Sequence, residues 1–214
     1  MGYINTDASS LIGSDTFENG EVKLRKGPIL NCAVKGGFGV LDEINMAKNE
    51  SLAVLHAVLD FRRTVDLPGY DRINLHEATR FIGTMNYGYA GTREMNEALA
   101  SRFMVLHMPV ISEENLQKLI KDKYPTLKPE YISQFATLFD EIRKKCEGGE
   151  ISTRSLDLRG LISCIGMMKK GLGVTKALQM GLINKCFDEY ERQLVLDIVS
   201  ARLPESLPGE SVFS

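Results

Sequence analysis

Two short apolar runs stand out along the chain, residues 38–41 and residues 80–85 (RFIGTM), the second ending at Asn86. The first is apolar at every position and predicts a strand buried on both faces; the second predicts another strand. Between them Leu52, Leu55 and Leu59, with Val54 and Val58 beside them, recur at a 3.6-residue spacing and predict an amphipathic helix over residues 47–61. RTVDL and RINLH flank Pro68-Gly69-Tyr70-Asp71, the pattern of a hairpin over residues 63–75 closed by a Pro-Gly turn. After a glycine-rich loop, residues 94–101 predict a short helix and residues 103–108 a last strand closed by Pro109. At the amino end, Tyr3-Ile4-Asn5 is a short strand candidate. Residues 6–31 read as a loop punctuated by Gly13, Gly20, Gly27 and Pro28, and Gly27-Pro28 opens a short helix over residues 29–35. Alternating strands and helices predict a parallel sheet flanked by helices.

Beyond Pro109 the period changes. Ser112 is placed to cap a helix toward Asn115, with Glu113 and Glu114 suiting its first turn. Periodic segments at about 112–123, 129–146, 153–169, 174–183 and 187–202 contain no convincing strand and predict an all-helical bundle, with Asp157 and Arg159 inside the third. The expected organisation is an α/β domain over residues 1–110, a helical domain over residues 111–202 and a disordered tail over residues 203–214, which holds two prolines and few apolar residues.

Composition narrows the function classes. With 214 residues, 43% hydrophobic and 25% charged, the chain can build a sizeable core. A net charge of -2 provides no basic field for sequence-independent nucleic-acid binding, so nucleic acid is disfavoured as a partner. No run approaches the ~20 apolar residues that span a bilayer, and MGYINTDASS is not an export signal, so a cytoplasmic protein without membrane attachment is expected. Cys32, Cys146, Cys164 and Cys186 lack C-x-x-C spacing and read as free thiols of a reducing compartment.

The chemistry concentrates in GFGVLDEIN, residues 37–45. An apolar strand delivering Asp42 and Glu43 to its carboxyl tip is how nucleoside triphosphatases hold magnesium and a hydrolytic water beside a γ-phosphate. The same pair also fits a strand end leading into a solvated helix cap. None of the 19 glycines is followed by lysine, so the phosphate-cradling G-x-x-x-x-G-K-[ST] is not found in the sequence.

GFGVLDEIN, then FIGTMN, then NEALASRF, together with ASSLIG, GPILNCAVKGG and LDFRR, resemble the AAA+ ATPases, in particular the MoxR-like and dynein-related branch that includes CbbQ and NorQ. The similarity runs from about Ala8 through the helical half. It implies a P-loop-type αβα sheet followed by a helical lid, with ATP and Mg2+ as cofactors. Under it, Asp42 holds the magnesium through water in a Walker B motif and Glu43 orients and deprotonates the attacking water. Asn86 becomes the sensor that hydrogen-bonds the γ-phosphate or water; alone it also fits a turn before Gly88 and Gly91. Arg102 matches the arginine finger reaching into a neighbouring subunit, with Arg93 as runner-up and a surface ion pair as the plainer role. Arg154 matches the lid arginine contacting the γ-phosphate in cis, in the first turn of a helix capped by Ser152 or Thr153; it also fits a solvated first-turn arginine. Tyr70 is a candidate client contact near a central pore. His56, His76 and His107 lack metal-ligand spacing and read as structural.

In that family the strand preceding the phosphate loop lies in the middle of the sheet, so a chain starting at the second strand has an incomplete sheet. A fragment of a longer protein, direct closure of the gap, or a piece from another polypeptide would each resolve this. The resemblance implies a homo-oligomeric, hexameric, chaperone-like ring that remodels a client, often a von Willebrand A domain protein. The alternative is an ATP-independent interaction or regulatory module that kept the surface and lost turnover.

Overall fold

The computed structural model describes residues 8–53, 55–67, 69–86 and 95–214. The predicted strand at residues 3–5, together with Val54, Pro68, Gly88, Gly91, Arg93 and the start of the helix expected at residue 94, lies outside them. The chain is mixed α/β and divides into two compact units, Met1–His107 and Met108–Ser214.

In the first unit, α1 (Ala8–Ile12) leads into an antiparallel hairpin of β1 (Gly13–Glu18) and β2 (Glu21–Lys26). A loop was expected here. Asn19 and Gly20 both hold positive φ, 56° and 84°, the two-residue turn that an Asn-Gly pair adopts readily and whose twist matches a hairpin. Helix α2 (Pro28–Lys35) begins on proline as expected and buries Ile29, Leu30 and Ala33 along one face. It is followed by β3 (Gly37–Leu41), a 3-10 turn at Ile44–Met46, and the short helices α3 (Asn49–Leu52) and α4 (Leu55–Leu59). The single helix expected over residues 47–61 is thus two pieces, although Leu52, Leu55 and Val58 do face the core.

The expected hairpin forms as β4 (Thr64–Val65) against β5 (Ile73–Asn74), extended by Leu75 N–H donating to Arg63 O at 2.8 Å. Next comes β6 (Thr79–Gly83), which pairs with β3 in parallel, Gly37 opposite Thr79 through Leu41 opposite Gly83. The buried Thr79 hydroxyl donates to Cys32 O at 3.0 Å and pins the start of β6 to the end of α2. Helix α5 (Glu97–Ala100) is capped by Asn96, whose side chain accepts from Ala98 N at 2.8 Å.

Two strand expectations are corrected. β3 is not buried on both faces: Phe38 is 72% and Val40 63% exposed, because the covering contacts come from the α2 side, where a Cβ on Gly39 would sit 3.3 Å from Cys32 Sγ. Residues 103–108 form no strand; Met104 and Leu106 are 97% and 85% exposed, and among the described residues this run has no strand partner. The described sheets are three two-stranded pairs, of which β3–β6 alone is parallel.

The second unit is helical: α6 (Glu113–Lys123), α7 (Pro129–Glu147), α8 (Leu158–Met168), α9 (Val174–Gly181) and α10 (Glu189–Arg202). Ser112 caps α6 as expected, accepting from Asn115 N at 3.4 Å. The third helix starts later than expected. Asp157 lies at its N-cap, accepting from Gly160 N at 2.9 Å, so residues 153–156 fall in a preceding turn. Nor is the tail disordered. A 3-10 turn at Gly209–Val212 buries Val212, Leu127 bridges to Phe213, and Lys128 N–H donates to Val212 O at 3.0 Å. These bonds join segments far apart in sequence, which local composition does not display. Phe135, Leu138, Ile142, Leu161, Ile165 and Met168 centre this unit's core. Phe135→Ala is expected to cost about 3–5 kcal/mol, read as a lower urea midpoint for this unit; a loss under about 1 kcal/mol would contradict its central packing.

Candidate functional site

Parallel strands leave their carboxyl ends side by side, which is where α/β sheets place ligands. With Leu41 opposite Gly83, the next residues, Asp42 and Thr84, emerge together. The Thr84 hydroxyl donates to Asp42 Oδ1 and accepts from Glu43 N at 3.1 Å. Thr84 N–H donates to Leu41 O at 2.9 Å and Thr84 O accepts from Ile44 N at 2.9 Å, so both strand tips are fixed by main-chain bonds as well.

Glu43 lies in the left-handed region, φ 54° and ψ 44°. A residue with a Cβ is uncommon there and costs of order 1 kcal/mol or more, a cost that clusters at functional turns. The turn reverses the chain directly after Asp42 and leaves both carboxylates exposed. The buried side chain of Asn45 donates through Nδ2 to Asn86 O at 2.9 Å and ties the backbone beyond β6 to the 3-10 turn beyond Glu43. The backbone at Asp42, Glu43 and Asn86 is therefore gathered at one end of the β3–β6 pair, with the two carboxylates exposed. Hard oxygen donors of this kind suit Mg2+, which is usually bound by one or two carboxylates plus substrate phosphates. Among the described residues there is no cluster of three or more His, Cys, Asp or Glu that would form an all-protein metal cage.

Arg102 follows α5 in the first unit. Its guanidinium donates to Ala98 O, one turn back, and its charge acts on Asp60 at the end of α4. Asp60 is held below the usual carboxylate range first by side-chain hydrogen bonding to Arg62, against the opposing effect of burial; Arg102 adds a smaller contribution. Arg102 has no bond to Asp42 or Glu43 among the described contacts.

Arg154 belongs to the second unit. It lies not in the first turn of a helix but in the turn before α8, because Asp157 takes the capping position, and its guanidinium lies 4.9 Å from the Phe187 ring centroid. Tyr70 is not a free hairpin tip: its hydroxyl donates to Asp15 Oδ1 at 2.7 Å, a bond that raises the phenol's pKa and joins its hairpin to β1. His76 closes a local turn through Nδ1, accepting from Ala78 N at 3.1 Å.

Thr84 and Asn45 carry the local geometry and were not among the candidate residues. Thr84 was within reach of the sequence, since aligning the two predicted strand ends places it opposite Asp42.

Residues 1–103 match the AAA domain of the dynein-related subfamily. A protein of Staphylococcus saprophyticus described only as uncharacterized is 33% identical over 202 residues, covering 92% of this chain and 76% of the relative. Proteins from Staphylococcus aureus strains RF122 and NCTC 8325, described in the same way, are 31% identical over the same shares. The chain belongs to this family of AAA-domain proteins, whose domain is of the ATPase type. Among the described residues no helix is long and apolar enough to cross a membrane.

Proposed function

We propose that this chain supplies the hydrolytic end and the helical lid of a magnesium-dependent AAA+ ATPase of the MoxR-like branch, working as a ring on a partner protein. The observation that carries the reading is the Thr84 hydroxyl bridging Asp42 and the Glu43 amide at paired parallel strand ends. Asp42 would hold magnesium, which supplies charge neutralisation for the phosphates when bound. Glu43, its backbone fixed in the left-handed turn, orients the attacking water and takes its proton. Asn86 offers a neutral donor and acceptor beside these anions. Arg102 acts on the neighbouring subunit's nucleotide, and Arg154 on the γ-phosphate in cis.

The two-stranded β3–β6 pair, marginal by itself, supports an incomplete sheet, and the bare apolar positions Phe38, Val40 and Ile82, 72%, 63% and 47% exposed, support a missing covering layer, since parallel sheets are ordinarily covered on both faces. A further strand carrying the phosphate-gripping loop pairs onto this sheet in the working enzyme.

The test uses the protein purified from its own cells with the polypeptides that accompany it. Phosphate release from ATP is expected, lost on magnesium chelation and reduced about 10²-fold or more by Asp42→Asn. An assembly that neither binds nor hydrolyses ATP would instead support the ATP-independent module. The 214-residue chain alone is expected to bind ATP more weakly than about 1 mM; micromolar affinity in a titration would contradict an external phosphate grip.

A further inference from the structure

We propose that Phe187 and Glu191 are positioning residues for Arg154, fixing the turn that carries it and aiming its guanidinium. The inference rests on the reading of Arg154 as the arginine that contacts the γ-phosphate.

Arginine is long and rotamer-rich, so an arginine that must meet a phosphate on cue benefits from a support that limits its directions. Two residues before Arg154, the Ser152 N–H donates to Glu191 Oε1 at 2.9 Å and the Ser152 hydroxyl to Glu191 Oε2 at 2.8 Å. Both carboxylate oxygens are thus committed to one residue of the turn, in charge-assisted bonds that fix its orientation as well as its place. The Ser152 carbonyl accepts from Cys146 Sγ at 3.4 Å and from Ser155 Oγ at 3.5 Å, and the flanking Ile151 and Ser155 are buried. The backbone on either side of Arg154 is therefore anchored while its side chain is exposed.

The support comes from the start of α10. Asp188 caps that helix, accepting from Glu191 N at 3.0 Å, which fixes Phe187 and Glu191 on either side of it. A glutamate at this helical position commonly turns back to its own N-cap amide; here its oxygens accept from Ser152. Phe187 is 78% exposed, a large ring outside the core, and its described contact is the stack with the Arg154 guanidinium at 4.9 Å. One acidic clamp on the turn and one aromatic rest for the head group together restrict Arg154 without burying it.

The test compares Arg154→Ala, Glu191→Ala, Glu191→Gln, Phe187→Leu and the Arg154→Ala/Glu191→Ala double variant in the native assembly, reading kcat and KM for ATP. Glu191→Ala is expected to lower kcat/KM about tenfold and Phe187→Leu about two- to fivefold. Glu191→Gln is expected to recover most of the loss, because its amide can still accept from the Ser152 amide and donate to the hydroxyl. The double variant should be no worse than Arg154→Ala within about twofold; multiplied losses would overturn the proposal, because they mean Glu191 acts independently of Arg154. If Arg154→Ala leaves turnover unchanged, the lid-arginine reading fails, and positioning is decided on the chain itself by arginine-labelled NMR. There the Arg154 Nε–H resonance should carry an aromatic ring shift that both Phe187→Leu and Glu191→Ala remove. A shift retained in Glu191→Ala would overturn positioning whatever the kinetics.

Discussion

Arg102→Ala in the assembled protein is expected to lower ATP turnover about 10³-fold while ATP affinity stays within about threefold. The guanidinium donates to Ala98 O and sits in the field of Asp60, with no bond to the acid pair among the described contacts. Under the proposed ring, Arg102 serves the neighbouring subunit's nucleotide through a heterologous contact repeated around the axis. Complementation follows from that geometry. Mixing Arg102→Ala subunits with Glu43→Gln subunits in equal amounts creates interfaces with an intact Glu43 on one side and an intact Arg102 on the other. About one quarter of wild-type turnover should return if subunits exchange freely around such a ring. No recovery, with exchange demonstrated, would place Arg102 in a structural role holding α5 to the region of Asp60.

Glu43→Gln is expected to reduce turnover about 10²–10³-fold. Glutamine has nearly the size of glutamate and keeps an acceptor, so the left-handed turn and the Glu43 N–H bond to Thr84 Oγ1 at 3.1 Å should survive; what is lost is the capacity to take a proton from water. The companion change Thr84→Val removes the hydroxyl that joins Asp42 and the Glu43 amide. It should lower turnover by a smaller factor, about tenfold, the scale of one lost hydrogen bond to a charged group.

The legible parts of this molecule were those written in short-range pattern. α2 starts on Pro28, α6 on the Ser112 cap, and β4 pairs with β5 within the RTVDL and RINLH runs, each a local signal with a local cause. Asn19-Gly20 between Phe17 and Val22 is an equally local signal, and it closes the β1–β2 hairpin where the spacing of glycines and Pro28 predicts a loop. At residues 152–157 several cap candidates compete; Asp157 takes the capping position, three residues before the Gly160 amide it satisfies, and this moves Arg154 out of the helix. Residues 103–108 show the converse. Strand propensity is there, but a strand exists only by pairing, and a single sequence does not reveal whether a partner is present. The packed tail and the clamp on Ser152 depend on bonds across 83 and 39 residues, beyond any window of periodicity.

At the candidate site the residue types were legible and their connection was not. Asp42, Glu43 and Asn86 follow from the two apolar runs, whereas Thr84 and Asn45 become visible once the parallel register and the turn after Glu43 are known. Exposure also differs from the expectation of a buried strand tip: the carboxylates stand open beside an uncovered sheet face.

The central claim is that the Asp42–Glu43 strand tip hydrolyses ATP. It is tested most directly by counting, on one sample, the ATP bound and the phosphate released by native assemblies carrying wild-type or Glu43→Gln chains in saturating magnesium and ATP. The expected result is equal ATP occupancy with phosphate release slower by about 10²-fold or more in the variant. Equal occupancy with equal release would contradict the claim and remove Glu43 from the chemistry.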